Sequence, residues 1–195
     1  MTQEAPLYLV DDDEAVLDSL GFMLRQFGFT LSTFVSGIDF LRTVDVTLPG
    51  SVILDSCMPE ITGQELQRRL LNTHSPLGII FLTGHGDLPM AVNAFRQGAC
   101  DFFQKPVSGQ ALAEAINKSM LHSQQRYESL QLKQHLAKLS EREHQVLQLL
   151  VQGKTNKQIS QTLFLSLRTI EVHRSNVMKK LQVHNMAELA KYSQF

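Results

Sequence analysis

Leu7-Tyr8-Leu9-Val10-Asp11-Asp12-Asp13 is a short apolar run that stops at three consecutive aspartates. Four apolar residues suit one buried strand and are too few for a membrane span or a signal segment. The design returns at Val52-Ile53-Leu54-Asp55, and again where the run at 78–82 meets Thr83 and where Asp101-Phe102-Phe103-Gln104 meets Lys105. A weaker, half-buried candidate strand covers 30–35. Helical spacing fills the intervals. Leu17, Leu20, Leu24 and Phe27 share a face; Phe40 and Leu41 follow a start at Ser36; Leu66, Leu70 and Leu71 follow Gly63. Met90, Val92 and Phe95 precede Gly98, and Leu112 and Ile116 lie one turn apart. Strands of this length separated by helices predict βα units around an open parallel sheet. Five such units fit in about 120 residues.

In an open parallel sheet the carboxyl ends of the strands form the ligand edge. Asp11, Asp12, Asp55, Thr83 and Lys105 all fall at that edge. Converging carboxylates repel unless a hard cation lies between them, and Mg²⁺ suits, since it takes oxygen ligands and accompanies phosphate. A hydroxyl from Thr83 and an ammonium from Lys105 would hydrogen-bond and neutralise phosphoryl oxygens. The set fits in-line attack by Asp55 on a phosphoryl donor, giving an aspartyl phosphate. Each member alone has a plainer reading: a solvated loop, a turn, a surface lysine. Asp13 reads best as the start of the first helix.

The strand pattern ends after Val107. Residues 122–139 hold neither Pro nor Gly and read as a stiff helical linker rather than a sustained coiled coil, with Leu130, Leu132 and Leu136 as partial seam positions. Ser140-Glu141-Arg142-Glu143 is a capping box opening a helix that buries Val146, Leu147, Leu149 and Leu150 and stops at Gly153. A short helix over Asn156–Leu163, a second N-cap at Ser166 with a helix to about Leu181, and a fourth helix from Asn185 predict a small helix-turn-helix bundle. Ile170, Val177 and Leu181 line a packing face, with His173 beside it as either a packed imidazole or a phosphate contact. Arg168, Glu171, Val172, Ser175 and Lys179 cover the other surface. Lys154, Asn156, Lys157, Arg174 and Lys180 add phosphate donors. Glu171 can accept from cytosine N4 while repelling phosphate, which favours selective docking.

The chain has 195 residues, 43% apolar and 19% charged, with net charge −1. That total alone argues against nucleic acid, but it hides two opposite halves. Residues 1–122 carry 7 Lys+Arg against 14 Asp+Glu, a net of −7; residues 140–195 carry 8 against 4, a net of +4. Two cysteines, Cys57 and Cys100, exclude a disulfide scaffold and point to a reducing, cytoplasmic setting with no membrane partner.

Val10-Asp11-Asp12-Asp13-Glu14, Leu54-Asp55-Ser56-Cys57-Met58-Pro59, Thr83-Gly84-His85-Gly86-Asp87 and Gly98-Ala99-Cys100-Asp101-Phe102-Phe103-Gln104-Lys105-Pro106 together resemble, in order, the receiver domain of two-component response regulators. The resemblance covers about residues 5–122 and implies a (βα)₅ fold. It implies Asp55 as phospho-acceptor, and Mg²⁺ held by Asp12, Asp55 and the backbone carbonyl of Cys57, with Asp11 acting through water. Thr83 and Lys105 would contact the phosphoryl group. Phe102 would turn inward as Thr83 moves, and Lys105–Pro106 would be cis. Cys57 departs from the bulkier or basic residue expected there.

Ser140-Glu141-Arg142-Glu143, Gly153-Lys154-Thr155-Asn156-Lys157-Gln158-Ile159, Ser166-Leu167-Arg168-Thr169-Ile170-Glu171-Val172-His173-Arg174 and Lys179-Lys180-Leu181 resemble the LuxR-type helix-turn-helix. That resemblance makes 167–181 the recognition helix. Glu171, Val172 and Ser175 would face bases with Arg168 close by, and Lys154, Lys157, Thr169, Arg174 and Lys179 would hold the backbone. Phe164 stands where a smaller residue is usual.

The expected architecture is an α/β receiver over 1–122, a helical linker over 123–139 and an all-α helix-turn-helix domain over 140–195, similar to the FixJ and NarL branches and nearer FixJ. The implied partners are a sensor histidine kinase, double-stranded promoter DNA, RNA polymerase and, when phosphorylated, a second copy of the chain. Such a protein would assist its own phosphorylation without being a conventional enzyme. The competing expectations are a phosphorylation-independent DNA-binding protein that uses the receiver to dimerise, and a metal-dependent phosphatase that would leave the helix-turn-helix unexplained.

Overall fold

The structure is a computed structural model that describes residues 5–84 and 88–193. The chain divides into two compact units, 1–127 and 128–195.

Among the described residues the first unit alternates five strands with five helices, the last of which runs on into the second unit: β1 (Leu7–Val10), α1 (Glu14–Gln26), β2 (Leu31–Phe34), α2 (Gly37–Thr43), β3 (Ser51–Leu54), α3 (Gly63–Asn72), β4 (Gly78–Thr83), α4 (Leu88–Arg96), β5 (Asp101–Gln104) and α5 (Gly109–Leu136). The strands pair in parallel in the order β2-β1-β3-β4-β5. The chain order reverses between β1 and β3, which puts the switch-point crevice beside their carboxyl ends. Alternation along the strands feeds two cores. Val10, Val52, Leu54 and Phe81 pack with Phe40 and Leu66 on one face. Leu9, Ile53, Ile80 and Leu82 pack with Leu24 and Ile116 on the other. β3 and β4 are buried throughout, as inner strands covered on both faces must be. Asp13, Ser36 and Thr62 cap α1, α2 and α3 through their side-chain oxygens.

Two sequence expectations change. Phe27 leaves the α1 face: the helix ends before it, Gly28 turns the chain at φ 86°, and Phe27 is 47% exposed. On α4 the buried residue is Ala94, while Val92 and Phe95 are exposed. A small residue lets that helix approach closely, and the buried Gln67 side chain fixes it there, donating from Nε2 to Ala94 O (3.1 Å) and Gln97 O (3.3 Å). The helical linker expected from the sequence is the continuation of the fifth helix, which runs to Leu136 since no Pro or Gly interrupts it.

The second unit holds α6 (Glu141–Val151), α7 (Asn156–Leu163), α8 (Leu167–Lys180) and a 3₁₀ helix, Ala187–Tyr192. Its core joins Val146, Leu150, Ile159, Ile170, Val177 and Leu181 with Leu132 and Leu136 of the last turns of α5. The expected fourth α-helix from Asn185 is therefore a short 3₁₀ turn. Just ahead of it Asn185 Oδ1 accepts from Glu188 N (3.0 Å), and Tyr192 pins its end by donating to Leu181 O (3.2 Å). The capping box at Ser140 and Glu143 is present, and so is a second one at Thr155 and Gln158.

Glu143 is buried, yet it accepts from Ser140 N (2.7 Å) and from Lys180 Nζ (2.6 Å). Lys180, expected from the sequence as a phosphate donor, is paired here with α6 through Glu143. Burial alone would raise the Glu143 carboxyl; Lys180 and the Ser140 amide outweigh it and hold the pKa below the ordinary value. A depressed carboxylate contributes stability above its unfolded pKa and loses it as pH falls through its folded pKa. Glu143→Gln should therefore cost about 1–3 kcal/mol near neutral pH. In denaturant melts of variant and wild type, that gap should close as pH falls below the ordinary carboxylate range. A gap independent of pH would show that the ion pair is not its source.

Candidate functional site

Register aligns Val10 with Leu54 and Leu54 with Phe81. The residues that follow β1 and β3 therefore emerge side by side. Backbone bonds continue the ladder past the strands: Asp55 N donates to Val10 O (2.9 Å), and Lys105 N donates to Thr83 O (2.8 Å). Asp11 and Asp55 are buried, at 3% and 7% exposure, and Thr83 is buried beneath the same edge. Lys105 reaches both carboxylates, with Nζ 2.5 Å from Asp11 Oδ2 and 2.9 Å from Asp55 Oδ1.

The remaining carboxylate oxygens are also held. Asp11 Oδ1 accepts from Asp13 N (3.1 Å), and Asp55 Oδ2 accepts from Cys57 N (2.6 Å). Both carboxyl planes are thereby fixed before any ligand arrives. Gly63, at the start of α3, is part of the same construction: a Cβ there would lie 2.3 Å from Asp55 O. Only a residue without a side chain lets α3 approach this closely.

Burial raises the Asp11 carboxyl above its ordinary value, against the bonds from Lys105 and Asp13 N that lower it. Burial would lower the Lys105 ammonium, but its bonds to Asp11 and Asp55 outweigh that and raise it. Two buried carboxylates against one ammonium leave excess negative charge at an all-oxygen donor set. That chemistry fits a hard divalent cation and does not fit a soft metal. Among the described residues no three His, Cys, Asp or Glu side chains are gathered for a metal ion; Asp12 stands exposed beside the site.

The structure thus brings together Asp11, Asp55, Thr83 and Lys105, with Cys57 joining through its amide while its side chain is exposed. Asp13 takes the plainer role, capping α1 by accepting from Ala15 N (2.9 Å). Lys105–Pro106 is cis. Phe102 is half-buried, its ring centroid 6.0 Å from that of Phe81 at a 34° tilt. His85, Gly86 and Asp87 lie outside the described residues.

On the second unit α8 presents Arg168, Glu171, Val172, Ser175 and Lys179 to solvent, opposite the buried Ile170, Val177 and Leu181. Lys154 and Lys157 are exposed ahead of it. Two expected backbone contacts have internal partners. Arg174 is half-buried and donates to Asn156 Oδ1 (3.0 Å), tying α8 to the start of α7. Thr169 lies in the α8 cap, its N donating to Ser166 Oγ (3.1 Å) and its hydroxyl 2.8 Å from that oxygen. His173 is half-buried. Sequence reading missed the Thr155 cap, although Thr155-Asn156-Lys157-Gln158 carries its signature.

Comparison with known proteins agrees with this arrangement. Residues 7–117 match the family described as response regulator receiver domain. Residues 137–193 match bacterial regulatory proteins of the luxR family. The chain is 40% identical to the response regulator protein TmoT of Ectopseudomonas mendocina, over 98% of this chain and 89% of that protein. It is 38% identical to the transcriptional regulatory protein FixJ of Bradyrhizobium diazoefficiens, over 98% of this chain and 95% of that one. Among solved structures, the response regulator StyR superposes with a TM-score of 0.72 at 38% identity, covering 97% of this chain and 98% of its own.

The bridge by Lys105 has a direct consequence for stability. Lys105→Met leaves Asp11 and Asp55 buried without their cation, which is strongly destabilising while both are ionised. Thermal melts of the variant should show a clear loss at neutral pH. The loss should shrink on acidification, as Asp11, whose carboxyl burial already raises, takes up its proton. An equal loss at both ends of the pH range would contradict the pairing.

Proposed function

The chain belongs to the response regulators that join a receiver domain to a LuxR-type helix-turn-helix domain, and on that premise we propose how its two sites work. The protein is a phosphorylation-controlled DNA-binding regulator and not a conventional enzyme. Its family implies a sensor histidine kinase as partner and receiver chemistry that typically uses Mg²⁺.

One observation carries the reading of the first site: the Lys105 ammonium against Asp55 and Asp11 at adjoining strand ends. In our reading Asp55 is the phospho-acceptor. A carboxylate oxygen attacks phosphorus in line, an O–P bond forms, the P–N bond to the donor imidazole breaks, and a proton goes to the leaving nitrogen. The Cys57 amide orients the carboxylate, while Lys105 and Thr83 take the phosphoryl oxygens. Asp11, Asp12, Asp55 and the Cys57 carbonyl would hold Mg²⁺, which when bound supplies charge neutralisation at those oxygens.

Thr83 and Phe102 form the switch. They flank the face around α4 and β5, where Leu88, Val92 and Phe95 are exposed apolar groups, and that face dimerises on phosphorylation. Residues 1–122 act as the receiver, 123–139 as the helical joint and 140–195 as the DNA-binding domain. There Glu171, Val172 and Ser175 read bases with Arg168 nearby, and Lys154, Asn156, Lys157, Thr169, Arg174 and Lys179 secure the backbone, Asn156 by holding Arg174 in place. RNA polymerase is the further partner at the promoter. Two unpaired cysteines support a reducing cytoplasm as the setting, and no described helix is long and apolar enough to cross a membrane.

Asp55→Asn should abolish the gain in dimer mass and in duplex affinity that a small phosphoryl donor produces in wild type. Full promoter activation by that variant would favour phosphorylation-independent regulation instead. Glu171→Ala should leave phosphorylation intact and relax the choice of one base pair by about 1–3 kcal/mol. An unchanged preference in selection from random duplexes would remove Glu171 from the base-reading set.

A further inference from the structure

Phe164 ends α7 and opens the turn into α8. Its backbone is left-handed, φ 55° and ψ 42°, a conformation that strains a bulky residue and that helix ends normally give to glycine. Its ring is 94% exposed, so packing within the unit does not account for it. The turn itself is firmly built: Leu165 N donates to Ser160 O (3.1 Å), and Ser160 Oγ donates to Leu165 O (2.5 Å). The ring is therefore carried outward on a fixed backbone. Leu167, the first residue of α8, is 49% exposed and stands one turn ahead of Glu171. Glu60, His74 and Gln182 are also left-handed, but Phe164 alone of the four is a bulky apolar residue, left 94% exposed.

The surroundings indicate what it contacts. Between Glu143 and Glu171 the chain has no acidic residue; Lys154 and Lys157 are exposed at the start of α7, and Arg168 is exposed in the first turn of α8, four residues after Phe164. Leu167, Arg168 and Glu171, the exposed residues that follow Phe164, open the outward face of α8. Positive charge around an apolar centre, at the leading end of a recognition helix, fits the sugar edges and thymine methyls of a duplex set between its phosphates.

We propose that Phe164, assisted by Leu167, is an apolar DNA contact at the leading end of the recognition helix. The proposal rests on α8 being the DNA-reading helix. It gives the module, whose net charge of +4 is modest, a share of affinity that counterion release does not supply. Phosphate contacts set the slope of log affinity against log salt, whereas an apolar contact shifts the line without tilting it.

The test uses full-length phosphorylated protein and a duplex selected by the wild type from random sequence. Phe164→Gly, Phe164→Ala and Phe164→Tyr are titrated across a salt series. The Gly variant relieves the left-handed strain and should melt at or above the wild-type temperature, so misfolding does not explain its behaviour. Gly and Ala should both weaken binding about fivefold or more, on lines parallel to wild type, and Tyr should bind like wild type. Unchanged duplex affinity in the Gly and Ala variants overturns the proposal; if promoter activation falls all the same, the ring meets a protein. A shallower salt slope also overturns it, because Phe164 would then act by placing phosphate contacts. A wild type that selects no duplex fails the reading of α8, and this contact with it.

Discussion

The Lys105 ammonium lies against two carboxylates that parallel pairing has carried into the interior. Asp11 and Asp55 come from neighbouring strands β1 and β3, so their proximity is fixed by sheet register and not by a flexible loop. Buried carboxylates are expensive unless matched by charge. The lysine matches only one of two, and the site remains short of positive charge. In the proposed reading, that deficit is what a hard cation and an incoming phosphoryl group beside the ammonium would meet. The surrounding structure serves this arrangement: Gly63 lets α3 close on Asp55, Cys57 N aligns its carboxylate, and β4 and β5 deliver Thr83 and Lys105 to the same edge.

The near-zero net charge of the whole chain conceals a division of labour. The acidic first unit and the basic second unit address different partners, and averaging their charges erases both. Within the second unit some basic groups have internal partners. Lys180 neutralises Glu143, so the free positive charge is smaller than the residue count implies, while Arg174 keeps its charge and is oriented by Asn156 Oδ1. A module of this kind gains from selective and apolar contacts and from binding as a pair.

Strand ends were legible in the sequence because a short apolar run followed by a polar residue has few other readings. Parallel order then put Asp11, Asp55, Thr83 and Lys105 on one edge. Caps were legible for the same local reason, and the one at Thr155 was missed although its spacing was visible. What escaped depends on contacts distant in sequence. The α4 face was read from large apolar residues, but the helix packs through Ala94, held by Gln67 from α3. Lys180 looked like a surface donor until α8 packed on α6. Phe164 was seen as an unusual residue, while its left-handed backbone and full exposure needed coordinates.

The central claim is that phosphoryl transfer occurs at Asp55 and not at its carboxylate neighbours. It is tested most directly by borohydride trapping of the phosphorylated full-length protein, followed by peptide mass spectrometry. Reduction of an acyl phosphate leaves homoserine at the acceptor. The account predicts homoserine at position 55, with Asp11 and Asp12 unmodified. Homoserine at 11 or 12, or none at 55 under conditions that raise DNA affinity, would contradict it.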